Sequence, residues 1–304
     1  MEKPIYTLET IKNADPSSII MWAVPVMLGL VLLEGILSGY QNRQVYQKKD
    51  LLASIGIGLG NLVVNAFMKF VLFAIVLYFY ALSPWYFPVE WWSFVLCIVW
   101  IDFWRYWAHR IAHEQRFWWC THVTHHSSEL YNFSVSFRLS WVEHIKIIFF
   151  IPVAIAGFDP IVFFICHEIE ILYQFWIHTQ LVKKLPAPIE YFFTTPSHHR
   201  VHHAKNPRYI DKNYGSTFIF WDRMFGTFQE EDEEPIYGIT EPPNSYNPVY
   251  LVFHVWMEIW RDLKKAKSVK EAFDLIFGWP GIEKEMLYGK KEEGIQSLVS
   301  KPTT

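Results

Sequence analysis

His109 and His113 stand four residues apart, His122, His125 and His126 follow as HxxHH, and His199, His202 and His203 repeat that pattern directly after His198. On a helix, positions three and four apart share a face, so each cluster can turn its imidazoles to one side. Imidazole ligates Zn, Cu, Fe and Ni alike, so ligand type alone does not choose the metal. A tetrahedral zinc takes about four ligands. These clusters hold more than that and suit two ions. Chance rarely sets one HxxxH and two HxxHH so close together, and imidazoles do not gather in threes without a shared cation.

His167, Glu170, Gln174 and His178 form a further polar stripe on an otherwise apolar helix. Ionisable groups at membrane depth cost ~3 kcal/mol each, so such a stripe faces a site or a partner. His178 is expected as a ligand and Gln174 as its neighbour, linked directly or through water. His167 is more often a packed histidine than a ligand. His144 and His254 lie outside every cluster and read as ordinary hydrogen-bonded histidines.

The elements that must position these residues are strongly apolar. Ile19–Gly39 is apolar except for Glu34, Leu51–Leu82 carries Lys69 as its only formal charge, and Trp91–Ile101 runs straight into Asp102 and Arg105. Each of the first two is long enough to cross a hydrocarbon core of ~30 Å, and all three are read as spans. Ile147–Phe158 and Pro160–Cys166, divided at Asp159-Pro160, predict a shorter helical hairpin that either spans or dips. The expected fold is an all-α integral membrane protein with about four transmembrane helices, three clear ones plus this hairpin, and a cytosolic helical histidine-rich cap. The loop after the first span holds Arg43, Lys48 and Lys49, whereas Ser83–Glu90 holds no Lys or Arg. The positive-inside rule therefore puts the first loop, and with it the histidine clusters, in the cytosol.

Composition agrees. Hydrophobic residues make up 52% and aromatics 18%, a share that suits extensive interfacial surface. The net charge of -3 opposes a nucleic-acid role. Cys97, Cys120 and Cys166 form no CxxC pair, which excludes a disulfide framework and a thiolate zinc site. The acidic N-terminal residues Glu2, Glu9 and Asp15 and the long apolar run behind them exclude a secretory signal. Glu230–Glu234 reads as a solvated acidic loop. Tyr250–Lys267 reads as an amphipathic helix on a membrane surface, with a plain packed helix nearly as apt. Three regions follow: 1–90 with the N-terminal membrane helices, 91–240 with the histidines, and 241–304 as an amphipathic, cytosolic tail.

The clusters and their surroundings resemble the fatty acid hydroxylase / sterol desaturase superfamily. The residues carrying the likeness are Asp102–Glu114, Phe117–Glu129, Tyr131-Asn132, Arg138–Ser140, Gln174–Thr179, Thr195–His203, Ile210–Gly215 and Phe220–Phe228. The resemblance runs from about residue 90 to 240. It implies a di-iron centre held by His109, His113, His122, His125, His126, His199, His202 and His203, with His178 joining. It gives Glu114 a part in activity, although a solvated surface glutamate is the plainer reading of that residue. Asp211 and Asn213 would support the ligands from behind, or simply make a turn.

The expected function is a membrane-bound non-haem di-iron monooxygenase that hydroxylates a lipid, an ether lipid or a fatty acyl chain, with O2. The reductant comes from a separate electron donor, and the resemblance also admits tetrahydropterin. A sterol or lipid desaturase with the same centre is the runner-up. A metal-binding transport protein is the alternative from another class, disfavoured because the clusters lie on one side of the spans. A multi-pass protein of a bacterial inner membrane is favoured over one of the endoplasmic reticulum.

Overall fold

The computed structural model describes residues 3–6 and 18–288, so most of the predicted N-terminal tail and the end of the predicted C-terminal tail lie outside the described residues. Every named element among the described residues is helical. In chain order they are α1 (Ser18–Tyr40), α2 (Lys48–Leu82), α3 (Trp91–Glu114), α4 (Arg116–Trp119), α5 (Val123–His126), α6 (Ile151–Ile155), α7 (Pro160–Trp176), α8 (Ala187–Phe192), α9 (Pro196–His202), α10 (Phe220–Phe225), α11 (Pro248–Leu263), α12 (Val269–Phe277) and α13 (Ile282–Tyr288). Two 3-10 segments, Phe133–Phe137 and Glu143–Phe150, complete the set.

Two described helices, Trp22–Tyr40 within α1 and all of α2, are long and apolar enough to cross a membrane. Their outer faces expose Trp22, Leu32, Ile36, Leu59, Phe67 and Phe70, a surface that water would not favour. The 35 residues of α2 extend about 52 Å at 1.5 Å per residue, well beyond a hydrocarbon core. The helix ends at Ser83, whose extended backbone is the conformation favoured before Pro84. The third expected span is apolar only in its first half, because α3 continues as one helix through Asp102 and Arg105 to both histidines of the first cluster. The expected hairpin differs more. Its first arm is a 3-10 segment followed by the five residues of α6, and only α7 is a long helix.

Helix starts follow a repeated recipe. Asp159, Thr195 and Asn247 cap α7, α9 and α11, and a proline occupies the first helical position of each. The capping side chain satisfies an end N–H that has no partner within the helix, and proline's missing N–H costs nothing there. The densest packing joins α3 to α7, and α6 packs mainly on α2; the four helices share a core that includes Val76, Cys97, Ile101, Val153, Val162, Phe163 and Cys166. All three cysteines are buried free thiols. Gly60 of α2 lies where a Cβ would come within 2.3 Å of the Trp141 ring, so only glycine admits that contact. Asn132 donates to the Val45 carbonyl of the α1–α2 loop at 2.5 Å, which draws that loop against the histidine-bearing segments.

Candidate metal centre

The histidines assemble into two adjoining groups. His109, His113, His122, His126 and His202 form the first and His125, His178, His199 and His203 the second; within each, one ring nitrogen per residue lies within 4.8 Å of all the others. His109 and His113 stay together in the first group, but the two HxxHH runs, each expected to converge on one side, divide between the groups. Consecutive helical residues point about 100° apart, so His125 and His126 part company, as do His202 and His203. Both HxxHH runs straddle the two groups, and the His126 and His203 rings stack across the divide with centroids 4.3 Å apart.

Main-chain carbonyls set the ring orientation. His109 Nδ1 donates to the Tyr214 carbonyl at 2.8 Å, His202 Nδ1 to the Lys212 carbonyl at 3.0 Å, and His178 Nδ1 to the Gln174 carbonyl at 2.6 Å. A carbonyl oxygen only accepts, so each Nδ1 must carry the hydrogen and each Nε2 a lone pair. Those lone pairs converge. His109 Nε2 is 2.8 Å from His122 Nε2, and His178 Nε2 is 3.1 Å from His125 Nε2 and 2.9 Å from His199 Nε2. His113 Nε2 and His202 Nε2 are buried and meet no hydrogen-bond partner among the described residues. Gathered, inward-facing, neutral nitrogen donors fit a cation in each group, and a donor set made wholly of imidazole suits a transition metal rather than Mg or Ca.

Electrostatics point the same way. Burial holds His122, His125, His126, His199, His202 and His203 well below the ordinary histidine pKa. In five of these, all but His122, a neighbouring imidazole is the next largest cause. Burial also pushes His178 down to about 4. Neutral imidazole is the form that ligates.

The loop 211–215 is itself built to hold those carbonyls. Asp222 accepts the Tyr214 and Gly215 N–H groups at 2.7 Å each and the Thr227 hydroxyl at 2.6 Å. Burial raises its pKa to about 6. A Cβ on Gly215 would lie 2.5 Å from the Phe218 carbonyl oxygen, so a side chain there would displace the loop. Asp211 has a positive φ and sets its carboxylate 3.6 Å from His113 Nδ1. Asn213, also at positive φ and fully buried, donates to the His198 and Gln229 carbonyls at 3.1 and 2.8 Å. It therefore ties the loop to α9 through the carbonyl of His198, next to the grouped His199. Glu114 is exposed and accepts from Arg110 at 2.7 Å.

Several contributors carry no motif signature. Arg200 donates to the Glu231 carboxylate at 2.6 and 2.7 Å and to the Thr179 and Val182 carbonyls at 3.1 and 2.7 Å. It thus fastens α9 to the segment that follows His178. This corrects the reading of Glu230–Glu234 as merely solvated, since Glu231 is only 19% exposed and pairs with an Arg200 that is 6% exposed. Glu34, the one charge of the first apolar run, accepts from Tyr46 at 2.6 Å, from the Phe133 N–H at 2.8 Å and from the Thr179 hydroxyl. Asp50 receives the Arg138 guanidinium, and Ser128 donates to it at 2.9 Å. The polar stripe on α7 divides by role. His167 packs on Phe150 and Phe163, Glu170 accepts from Arg105 at 2.8 Å, and only His178, past the helix end, joins the centre. His198 pairs with Glu190 at 2.9 Å, His144 with Asn65 at 2.6 Å, and His254 with the Leu251 carbonyl at 3.0 Å.

Comparison with known proteins adds a second line of argument. The fatty acid hydroxylase family pattern matches residues 94–227. Alkylglycerol monooxygenase of Homo sapiens is 38% identical over 266 residues, covering 85% of this chain and 59% of that protein. Ornithine lipid hydroxylase OlsE of Rhizobium tropici is 30% identical over 149 residues, covering 47% of this chain and 44% of its own length. Methylsterol monooxygenase 1 of Rattus norvegicus is 29% identical over 161 residues, 46% of this chain and 51% of that protein. The chain therefore spans little more than half the length of the alkylglycerol monooxygenases it resembles. No solved structure matches it.

Proposed function

We propose, from the match of residues 94–227 to the fatty acid hydroxylase family, that the whole chain is a membrane-embedded di-iron monooxygenase that hydroxylates a lipid with O2. The observation that carries this reading is the division of nine histidines into adjoining groups of five and four, with no carboxylate among them. His109, His113, His122, His126 and His202 hold one iron, and His125, His178, His199 and His203 hold the other. Asp211 supports His113, Asn213 holds the supporting loop to α9, and Glu114 borders the first group beside His113.

When bound, the iron pair supplies the redox chemistry that no side chain can perform. The chain's own residues bind and orient. The Lys212, Tyr214 and Gln174 carbonyls fix three histidine tautomers. Arg200 fixes the spacing of His178 from His199. The apolar walls of α2, α3 and α7 keep water from a substrate chain that arrives from the lipid. Region 91–240 is the catalytic unit, α1, α2, α3 and α7 make up about four membrane-crossing or membrane-dipping helices, and the histidine segments form a cap on the cytosolic side. Of region 241–304, α11 and α12 lie against the membrane surface, with Met257, Trp260 and Phe273 exposed. Electrons come from outside the chain, through a separate carrier or tetrahydropterin. A bacterial inner membrane is the favoured location.

The direct test is metal analysis of purified protein together with isotopically labelled O2. About two irons per chain and a lipid product carrying one labelled oxygen are expected. Zinc in place of iron, or a product lacking two hydrogens and carrying no label, would overturn the hydroxylase reading.

A further inference from the structure

The second histidine group has one aromatic neighbour that leads outward. Tyr131 is 1% exposed, and its ring centroid lies 5.2 Å from that of His203, 5.9 Å from that of His178 and 6.5 Å from that of His199. Its hydroxyl donates to the Ile177 carbonyl at 2.9 Å, directly before His178. On its outer side the ring stacks on Tyr237 with centroids 4.8 Å apart and planes 13° from parallel. Tyr237 is half-buried and forms part of the wall of a surface cavity of about 440 Å3, shared with Glu129, Lys205, Glu234, Pro235 and Ile236. Its position is fixed by main chain. Tyr237 bridges Ala204, and the Lys205 N–H donates to the Ile236 carbonyl at 2.7 Å, immediately after His203.

A buried aromatic ring in contact with three metal-facing imidazoles is explained by packing alone. A second ring, parallel to the first and opening on a polar cavity, is not needed for that packing. We propose that the Tyr237–Tyr131 stack is the path by which electrons enter the centre, and that the cavity before it is where a reduced one-electron carrier docks. The inference rests on the redox-active centre proposed above. For each electron the carrier is oxidised by one, the metal held by the second group is reduced by one, and no bond in either tyrosine forms or breaks. The hydroxyls then matter only for position, and the ring faces carry the coupling.

The test uses full-length, iron-loaded protein in detergent, mixed anaerobically with a reduced plant-type [2Fe–2S] ferredoxin, which is too large to enter the bundle. Bleaching of the metal-centre absorbance is followed, and iron content is measured on the same sample. Tyr237→Leu removes the outer ring and is expected to slow bleaching about tenfold, equivalent to about 1.4 kcal/mol, with iron content unchanged. Tyr237→Phe keeps the stack and is expected to bleach at the wild-type rate. Wild-type speed in Tyr237→Leu overturns the inference, as does a Phe variant slowed as much as the Leu variant, or loss of iron in Tyr237→Leu. A wild-type centre that takes up no electrons at all sinks the redox reading itself, a separate and visible failure.

Discussion

His125 and His126 are neighbours in the chain, yet His125 Nε2 lies 3.1 Å from His178 Nε2 and His126 Nε2 lies 3.1 Å from His122 Nε2, in the other group. The two rings stand nearly perpendicular, 89° apart. One peptide unit thus holds the two groups at a fixed separation, and the single turn of α5 acts as the spacer between them.

That relationship separates the two sites experimentally. Four or five imidazoles leave little surplus ligation, so either His125→Ala or His126→Ala should lower bound iron from about two to about one per chain. The two variants should differ in the spectrum of the iron that stays. Full occupancy in either variant would show that the two groups are not independent sites.

Asp211→Asn removes a charge from beside His113 while keeping a residue that tolerates the positive φ of 59°. Loss of such a supporting partner typically lowers metal affinity about 10- to 100-fold. Metal titration should show that loss in the first group only. Unchanged affinity would mean that the 3.6 Å approach is incidental.

Arg200→Gln leaves the mostly buried Glu231 carboxylate without its guanidinium and frees the Thr179 and Val182 carbonyls. Breaking a buried pair on one side costs about 3 to 5 kcal/mol, so a fall of several degrees in melting temperature should accompany weaker metal binding by the second group. The double variant Arg200→Gln, Glu231→Gln should recover part of the stability, since no lone charge then stays buried.

Acid should destabilise the metal-free protein. The pKa of His178 falls from 6.5 unfolded to about 4 folded. Between those values the unfolded chain binds more protons. The histidine's contribution is therefore complete above pH 6.5 and lost as the pH falls towards 4, roughly 3 kcal/mol in all. The other buried histidines outside the bundle add to it in the same direction. Melting of metal-stripped protein against pH should show the decline beginning below about 6.5. A flat profile to pH 5 would contradict the buried, neutral imidazoles described here.

Gly60→Ala separates packing from propensity. Alanine favours a helix over glycine by about 1 kcal/mol, but the new methyl would meet the Trp141 ring at 2.3 Å, and overpacking costs about 1 to 3 kcal/mol. A net loss of thermal stability is expected. A gain would mean that Trp141 yields easily.

The histidines could be read from the sequence because ligand type and spacing are side-chain properties. Their division could not. HxxHH was read as one face, but His125 and His126 lie on the two edges of that face, and each edge serves a different group. The orienting carbonyls of Gln174, Lys212 and Tyr214 are main-chain atoms, so no residue type announces them. Arg200 and Glu231 meet across 31 positions, and local composition made the acidic run look merely solvated. The apolar runs predicted α1, α2 and the start of α3 well. The run at 147–158 shows where hydropathy misleads, because its residues pack in a 3-10 segment against α3 rather than forming a long helix.

Glu34 and Asp50 both precede residue 94, where the family pattern begins, yet they receive hydrogen bonds from Phe133, Thr179, Ser128 and Arg138 inside it. The recognisable stretch is therefore not a portable module. Excised at its boundaries, it would keep all nine grouped histidines but leave a buried guanidinium without its counter-ion and two segments beside the centre without their acceptor. Grafting this chemistry onto another scaffold means carrying the first two helices along with it.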